Sequence, residues 1–379
     1  MKGALLAMSI VLFSVTRIES QTRTLSRAVY EDRLRAFWLA QCIANWTGIE
    51  TENARCSPPF FTDTDWSDFG FVFHDDVWAA DDDTDIEYVY CHLLQKHQTT
   101  MLTPAQIRQG WIDHINRYIW VSNETARGLL NYGLEPPATS LPITNGHAFM
   151  IDAQLTTEVF GALAPGLPKK ALEMAQLPIL TTAFGHAAHA AQFHVILYSL
   201  AMVVDTTLSP ADQVVWLVRE TRKYFPDESK VSHMIDFVLA DYLANPDKNN
   251  WERTRDKVYQ QYQRDDKANG WLYRDVCYES SVNLAMSVMN LLYGEGNYQK
   301  TVRIGTLAGW DSDNPTASIG GLLGLMYGYQ KFVAHFNNRT FSDRYTVYRT
   351  RDKLPDNLPN DPNAEDSFTQ MARRMLATV

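Results

Sequence analysis

The sequence predicts an all-α domain from about residue 25 to residue 340. Three observations carry that expectation. Apolar residues recur at three- and four-residue steps through most of the chain. The stretches that show this period are separated by Gly/Pro loops rather than by long linkers. Runs of alternating β-branched residues are short and few. Hydrophobic residues make up 45% of the 379 and charged residues 21%, a balance that supports a sizeable core. No internal repeat or low-complexity segment divides the chain.

The elements follow in order. Lys2 and the apolar run Ala4 to Val15, with small residues near Ser20, read as a signal peptide over residues 1–20. The run is too short to span a bilayer, which takes about 20 apolar residues. The expected location is therefore secreted, or periplasmic in a bacterium, with no membrane span after signal removal. Arg27 to Trp46 shows the spacing of a buried helix. Ile86 to Leu94 continues helically out of an acidic loop, and Gln106 to Trp120 is amphipathic behind the cap Thr103-Pro104. Ala148 to Leu163 is helical and ends at Ala164-Pro165-Gly166. Leu180 to Val204 is long, Ala-rich and nearly apolar throughout, as a central helix would be. Pro210 to Tyr224, His233 to Leu243 and Trp251 to Gln263 are further amphipathic helices. Ser280 to Tyr293 stops at Gly294, and Ala317 to Phe332 is again apolar. A C-terminal extension, 341–379, carries an amphipathic piece from Ser367 to Ala377.

Other features agree with export. Asn45, Asn123 and Asn338 each begin an N-glycosylation sequon, whereas Asn314 is followed by proline. Cys42, Cys56, Cys91 and Cys277 allow two disulfides in an oxidising compartment, with three connectivities open. The formal net charge of −10 disfavours a nucleic-acid partner, because phosphate affinity comes mainly from Lys and Arg. There is no nucleophile elbow, P-loop or dinucleotide fingerprint. His186, His189 and His194 share the central helix, but no further ligand stands at zinc spacing.

Two acidic clusters stand out. In the first, His74 to Asp85, six of the eleven residues from Asp75 to Asp85 are Asp. It lies between apolar stretches at a helix entrance, where carboxylates can cap amides. Adjacent carboxylates repel unless a cation or a proton relieves them, and hard oxygen donors suit Mg²⁺ or Mn²⁺. The second cluster is Gly309-Trp-Asp-Ser-Asp-Asn314, with Asp311 and Asp313 at another loop-to-helix junction. It is not an EF-hand: Thr316 occupies the glycine position and Leu322 the glutamate position.

The ordered pair of an Asp81-Asp-Asp-Thr84 loop and a late Gly-Trp-Asp-Ser-Asp-Asn loop resembles the ADP-ribosylglycohydrolase superfamily. Three further segments fit in family order: Leu39 to Glu52, Ala148 to Gly166 and Leu291 to Thr301. The resemblance implies a compact orthogonal helical bundle with a dinuclear metal cleft. It implies Asp82, Asp83, Asp311 and Asp313 as metal ligands for two Mg²⁺, with Mn²⁺ as the substitute. Asp81 stands where Thr or Ser is usual and Asn314 where Thr is usual; both still offer oxygen to the metals. Glu52 matches the family's early acidic residue, with Glu50 as the alternative, and Glu52 and Asp83 are the expected catalytic residues. Asn145, Gly146, His186 and Trp310 are the expected substrate contacts. Met150 stands where the family has Arg, and Thr182-Ala-Phe-Gly-His186 replaces a usual Thr-His-Asn-Gly-Glu. The implied activity is hydrolysis of an N- or O-glycosidic bond to ADP-ribose or a related ribosyl group, on a protein or a small ribosyl or glycosyl substrate. The alternatives are a secreted glycosidase acting on nucleosides or extracellular glycans, and a non-catalytic crystallin-like member.

Overall fold

The computed structural model describes residues 24–265, 276–347, 350 and 365–379. Residues 1–20, read above as a signal peptide, lie outside them. Among the described residues there are sixteen α-helices and one two-stranded antiparallel ribbon, Arg344–Thr346 with Glu365–Ser367. The fold is all-α, as expected. No helix among the described residues is long and apolar enough to cross a membrane.

The opening helix, Arg27–Ile49, starts at Ser26, whose Oγ accepts a hydrogen bond from Val29 N (3.2 Å). Its interior is buried on nearly every side, so it is the axis around which the others pack. Its main partner is the helix Asp313–Tyr327. The two backbones meet closely because glycines lie between them. A Cβ on Gly324 would sit 2.5 Å from Ala36 O, and one on Gly48 2.5 Å from Asp313 Cα. Close-packed interiors have no room for such overlaps, so these glycines set how near the end of the opening helix comes to the second Asp cluster.

The helix that leaves the first cluster runs Asp82–Lys96, four residues earlier than its apolar pattern indicates. Asp82, Asp83 and Asp85 fill its first turn, where the helix dipole favours negative charge. The C-terminal extension packs back on this part of the core. Tyr345, fully buried, donates its hydroxyl to Asp85 Oδ1 (2.5 Å), and Thr350 N donates to Asp85 Oδ2 (3.2 Å). The last helix, Phe368–Thr378, is capped by Ser367 and buries Phe368, Met371 and Met375.

Four predicted helices are broken in the structure. The Gln106 to Trp120 stretch is helical only over Pro104–His114, and a separate helix, Val121–Asn131, begins just after it. Ile115 turns extended and Asn116 N donates to Thr350 O (2.7 Å), a bond to a residue distant in sequence. Ala148 to Leu163 becomes two short helices, Asp152–Thr156 and Val159–Ala162. There the amide of Val159 is taken by Glu87 Oε1 (2.7 Å). The long central stretch keeps one helix, His186–Ala201, and its first residues close a preceding helix, Pro168–Thr182. Gly185, with φ of 58°, makes that turn while Phe184 N donates to Ala148 O (2.8 Å). Gly328, with φ of 75°, ends Asp313–Tyr327 before a short helix, Tyr329–Ala334. In each case a long-range partner or a left-handed glycine outweighs the local apolar period. The helices Val121–Asn131 and Tyr298–Ala308, the latter capped by Asn297, and most of Pro168–Thr182 fall outside every helix the sequence predicts.

Two expectations tied to export change. One disulfide, Cys56–Cys277, is present rather than two, and Cys42 and Cys91 remain thiols. Of the three sequons only Asn338 is exposed. Asn45 and Asn123 are fully buried with hydrogen-bonded side chains, so neither can carry a glycan in the folded protein.

Candidate metal centre

The two Asp clusters, about 230 residues apart in sequence, meet at the end of the opening helix. Asp81 precedes the helix Asp82–Lys96, with Asp82 and Asp83 in its first turn. Asp311 and Asp313 flank the start of Asp313–Tyr327. Glu52 comes from the turn after the opening helix. Asn53 N donates to Trp310 O (2.9 Å), and Ser312 Oγ donates to Gly48 O (3.0 Å). These bonds lock the Glu52 turn against the second cluster.

Carboxylate oxygens of Glu52, Asp311 and Asp313 lie within 4.8 Å of one another, and so do those of Asp81, Asp82 and Asp83. One amide joins the two groups. Asn45 Nδ2 lies 3.0 Å from Asp81 Oδ1, 2.7 Å from Asp83 Oδ2 and 3.3 Å from Asp313 Oδ2. On the other side Asn123 Nδ2 donates to Asp82 Oδ2 (3.1 Å), while its backbone N–H donates to Asp152 Oδ1 (2.8 Å).

The groups open on a cleft of about 350 Å³. Glu52, Asp81, Asp82, Asp152, Asp311 and Asp313 line its acidic side, with Asn314 between them. The rest of its lining is aromatic and aliphatic: Trp120, Val121, Ile151, Leu155 and Tyr278. Val121 holds a φ of 47°. A β-branched residue there is strained, and such strain concentrates at functional sites.

Burial pushes the Asp82, Asp83, Asp311 and Asp313 carboxyls well above the ordinary range, and neighbouring carboxylates push them further. After burial the largest contribution comes from Asp81 for Asp82, Asp83 and Asp313, and from Glu52 for Asp311. Burial also raises Asp152. Several buried oxygens have no hydrogen-bond donor: Asp83 Oδ1, Asp313 Oδ1, Asn314 Oδ1 and Asn45 Oδ1. Buried polar atoms are rarely left in that state. Unrelieved carboxylates together with unused oxygens and no nitrogen or sulfur donors fit a hard divalent cation.

The sequence profile of the ADP-ribosylglycohydrolase family matches residues 26–363, most of the chain. The chain belongs to the ADP-ribosylglycohydrolase family. A comparison with curated proteins returned no match. Family membership makes the protein a glycohydrolase in the broad sense. The family typically uses a pair of metal ions on ADP-ribosylated substrates, and the two carboxylate groups here are of the kind that can hold metal.

In this member of the family the expected site residues divide into two sets. Glu52, Asp81, Asp82, Asp311, Asp313 and Asn314 come together on the cleft, and Glu50 does not line it. Asp83 does not line the cleft but belongs to the same carboxylate group as Asp81 and Asp82, fully buried against Asn45 with its Oδ1 unpartnered. The four expected substrate contacts lie elsewhere. Asn145 is buried and its amide holds Ser122 O and Thr139 O (both 3.2 Å), while Gly146 is an exposed loop residue. His186 Nε2 sits 3.2 Å from Glu279 Oε1, and its ring stacks on Phe149. Trp310 is fully buried, with its Nε1 donating to Gln263 Oε1 (2.8 Å) and its ring over Phe60. It packs beneath the second cluster.

Sequence reasoning missed Asn45, Asn123, Asp152, Trp120 and Tyr278. Asn45 and Asn123 each head a sequon, which points to glycan acceptors instead. Asn45 carries another signal, because amides at Gln41 and Asn45 within an otherwise apolar helical stretch call for buried partners; Asn123, in the polar start of Val121–Asn131, carries none. Asp152 was the one acidic residue near the start of the apolar Ala148 to Leu163 stretch and invited the same question.

Proposed function

We propose that this chain is a dinuclear, Mg²⁺-dependent glycohydrolase that cleaves an N- or O-glycosidic bond to ADP-ribose or a related ribosyl group, with Mn²⁺ able to replace Mg²⁺. The observation that carries this reading is the convergence of two three-carboxylate groups, from motifs at opposite ends of the chain, on one cleft. Asp82, Asp83, Asp311 and Asp313, with oxygens of Asp81 and Asn314, would hold the ions; Asn45 would keep those ligands in place. Two bound divalent ions orient sugar hydroxyls and make a water molecule more acidic.

The chain's own residues supply the rest. Glu52 is the only exposed carboxylate of the set, and Asn53 Nδ2 holds its Oε1 (2.8 Å). Glu52 takes a proton from the attacking water as the water oxygen bonds to the anomeric carbon, and the departing atom leaves with the bonding pair and takes up a proton in turn. The clustered carboxylates stabilise the positive charge that develops on the sugar ring as the glycosidic bond breaks. The apolar wall limits water around that centre. Asp82→Asn and Asp311→Asn should each reduce ribosyl hydrolysis by more than about a hundredfold, with circular dichroism unchanged. Full turnover in either variant would exclude the assignment.

The N-terminal apolar run and the Cys56–Cys277 bridge support action outside the cytosol, because disulfides persist in oxidising compartments.

A further inference from the structure

We infer that the Cys56–Cys277 disulfide is a redox switch on the cleft: intact, it holds the Glu52 turn and Tyr278 at their working separation, and its reduction by a dithiol lowers turnover without dismantling the candidate metal centre. The inference rests on the glycohydrolase reading above and adds a control to that site.

The bridge joins residues 221 positions apart, yet both of its ends stand at the cleft. Cys56 follows Glu52 and Asn53 in one turn, and Cys277 adjoins Tyr278; Glu52, Asn53 and Tyr278 all line the cleft. Both sulfurs lie near the same backbone oxygen, Asn53 O, with Cys56 Sγ at 3.7 Å and Cys277 Sγ at 3.9 Å. Asn53 is also the residue whose amide holds Glu52 Oε1 (2.8 Å). The bridge therefore bears on the residue that orients the expected base.

Each end is tied to a different part of the site. The Glu52 turn is bonded to the second Asp cluster, by Asn53 N to Trp310 O (2.9 Å) and by Trp310 N to Arg55 O (2.9 Å). The Cys277–Tyr278 segment is bonded elsewhere. Ile151 N donates to Tyr278 O (3.1 Å), and Asn283 Nδ2 donates to Cys277 O (2.8 Å). Among the described residues no backbone hydrogen bond joins 50–57 to 276–279. The covalent bond is thus what fixes the separation of the two segments. A misplacement of about 1 Å at a reacting centre can cost about a hundredfold in rate.

The two carboxylate groups are held by other means. Asn45 joins Asp81, Asp83 and Asp313, Asn123 holds Asp82, and Gly48 lets the opening helix meet Asp313 closely. Opening the bridge leaves all of these contacts in place. Turnover and metal affinity should therefore separate on reduction.

The sulfurs differ in access. Cys56 is half-buried, whereas Cys277 is 9% exposed. A reductant thiolate attacks the Cys56 sulfur, and Cys277 leaves with the bonding pair and takes up a proton. The reductant's second thiol then closes on the mixed disulfide and releases Cys56 as a thiol. Two protein thiols form, and one dithiol is oxidised to its cyclic disulfide. Thiol–disulfide changes of this kind switch proteins when they release a local constraint.

The test measures kcat/KM of the full chain with Mg²⁺ for an N-linked and an O-linked probe, ADP-ribosyl-arginine and ADP-ribosyl-serine, before and after dithiothreitol. Mg²⁺ affinity by calorimetry and helix content by circular dichroism are read on the same samples, well below the unfolding temperature. Reduction should lower kcat/KM about tenfold or more, with Mg²⁺ affinity and helical signal unchanged, and reoxidation should restore the rate. The double variant Cys56→Ala, Cys277→Ala should show the reduced protein's rate and ignore dithiothreitol. A bridge that merely staples the fold would lose rate, Mg²⁺ affinity and helical signal together, and that result overturns the inference. An unchanged rate after reduction also overturns it and leaves the glycohydrolase reading standing. If the oxidised protein with Mg²⁺ cleaves neither probe, the reading beneath it has failed, and this inference with it.

Discussion

Removing divalent ions while changing pH tests the metal centre most directly. Burial, with neighbouring carboxylates added, raises Asp82, Asp83, Asp311 and Asp313 in the metal-free fold. A raised folded-state value adds stability that is complete below the unfolded value, near 3.9 for Asp. That stability is lost as pH climbs through the folded value. The metal-free protein therefore weakens as pH rises from about 4 towards neutrality. Cation binding needs those protons gone, so affinity moves the other way and increases with pH. Each proton displaced is worth ~1.4 kcal/mol per pH unit, a factor of about ten in affinity. If two protons leave, one unit changes Kd about a hundredfold. A Mg²⁺ concentration of about 100 Kd near pH 7.5 stabilises the fold by ~2.7 kcal/mol. One unit lower, the same concentration roughly equals Kd and the gain falls to ~0.4 kcal/mol. The assay is thermal unfolding of EDTA-treated protein with and without Mg²⁺ across that range. A Mg²⁺ shift as large in acid as near neutrality would refute the reasoning. So would a metal-free protein that gains stability as pH rises.

Three further outcomes follow from single contacts. Asn45→Ala removes the amide shared by Asp81, Asp83 and Asp313 and should weaken Mn²⁺ binding about 10–100-fold; unchanged affinity in a titration would show that the bridge is idle. Tyr345→Phe removes the hydroxyl that holds the buried Asp85 and should cost ~2 kcal/mol in urea unfolding, as bonds to buried charged groups do. Cys56→Ser opens a cross-link between residues 221 positions apart and should cost up to ~5 kcal/mol by loop entropy. Alkylation of the unfolded, unreduced wild type should then label two thiols, Cys42 and Cys91; four labelled thiols would contradict the bridge.

The two acidic clusters were legible in the sequence because their signal is local. Three consecutive Asp stand at one helix entrance and two more at another, and the resemblance to a known family is what made them candidate metal ligands. The all-α class was legible for the same reason, since the 3.6-residue period is written within each helix. Helix breaks were less so. Nothing within Leu180 to Val204 announces a left-handed turn except one glycine, and the bond that fixes it comes from Ala148.

What the sequence by itself determined is thus the helical class and the chemical type of the centre: hard oxygen ligands, paired, at helix starts. Only the tertiary structure decided which residues share the cleft. It placed Asn45 among three carboxylates and Asp152 and Trp120 on the walls, and it moved Asn145, His186 and Trp310 away. The physical reason is that a side chain's burial, partners and charge environment depend on neighbours far along the chain. Here Gly48 and Gly324 let two helices approach closely enough to bring the Asp clusters together around a single amide.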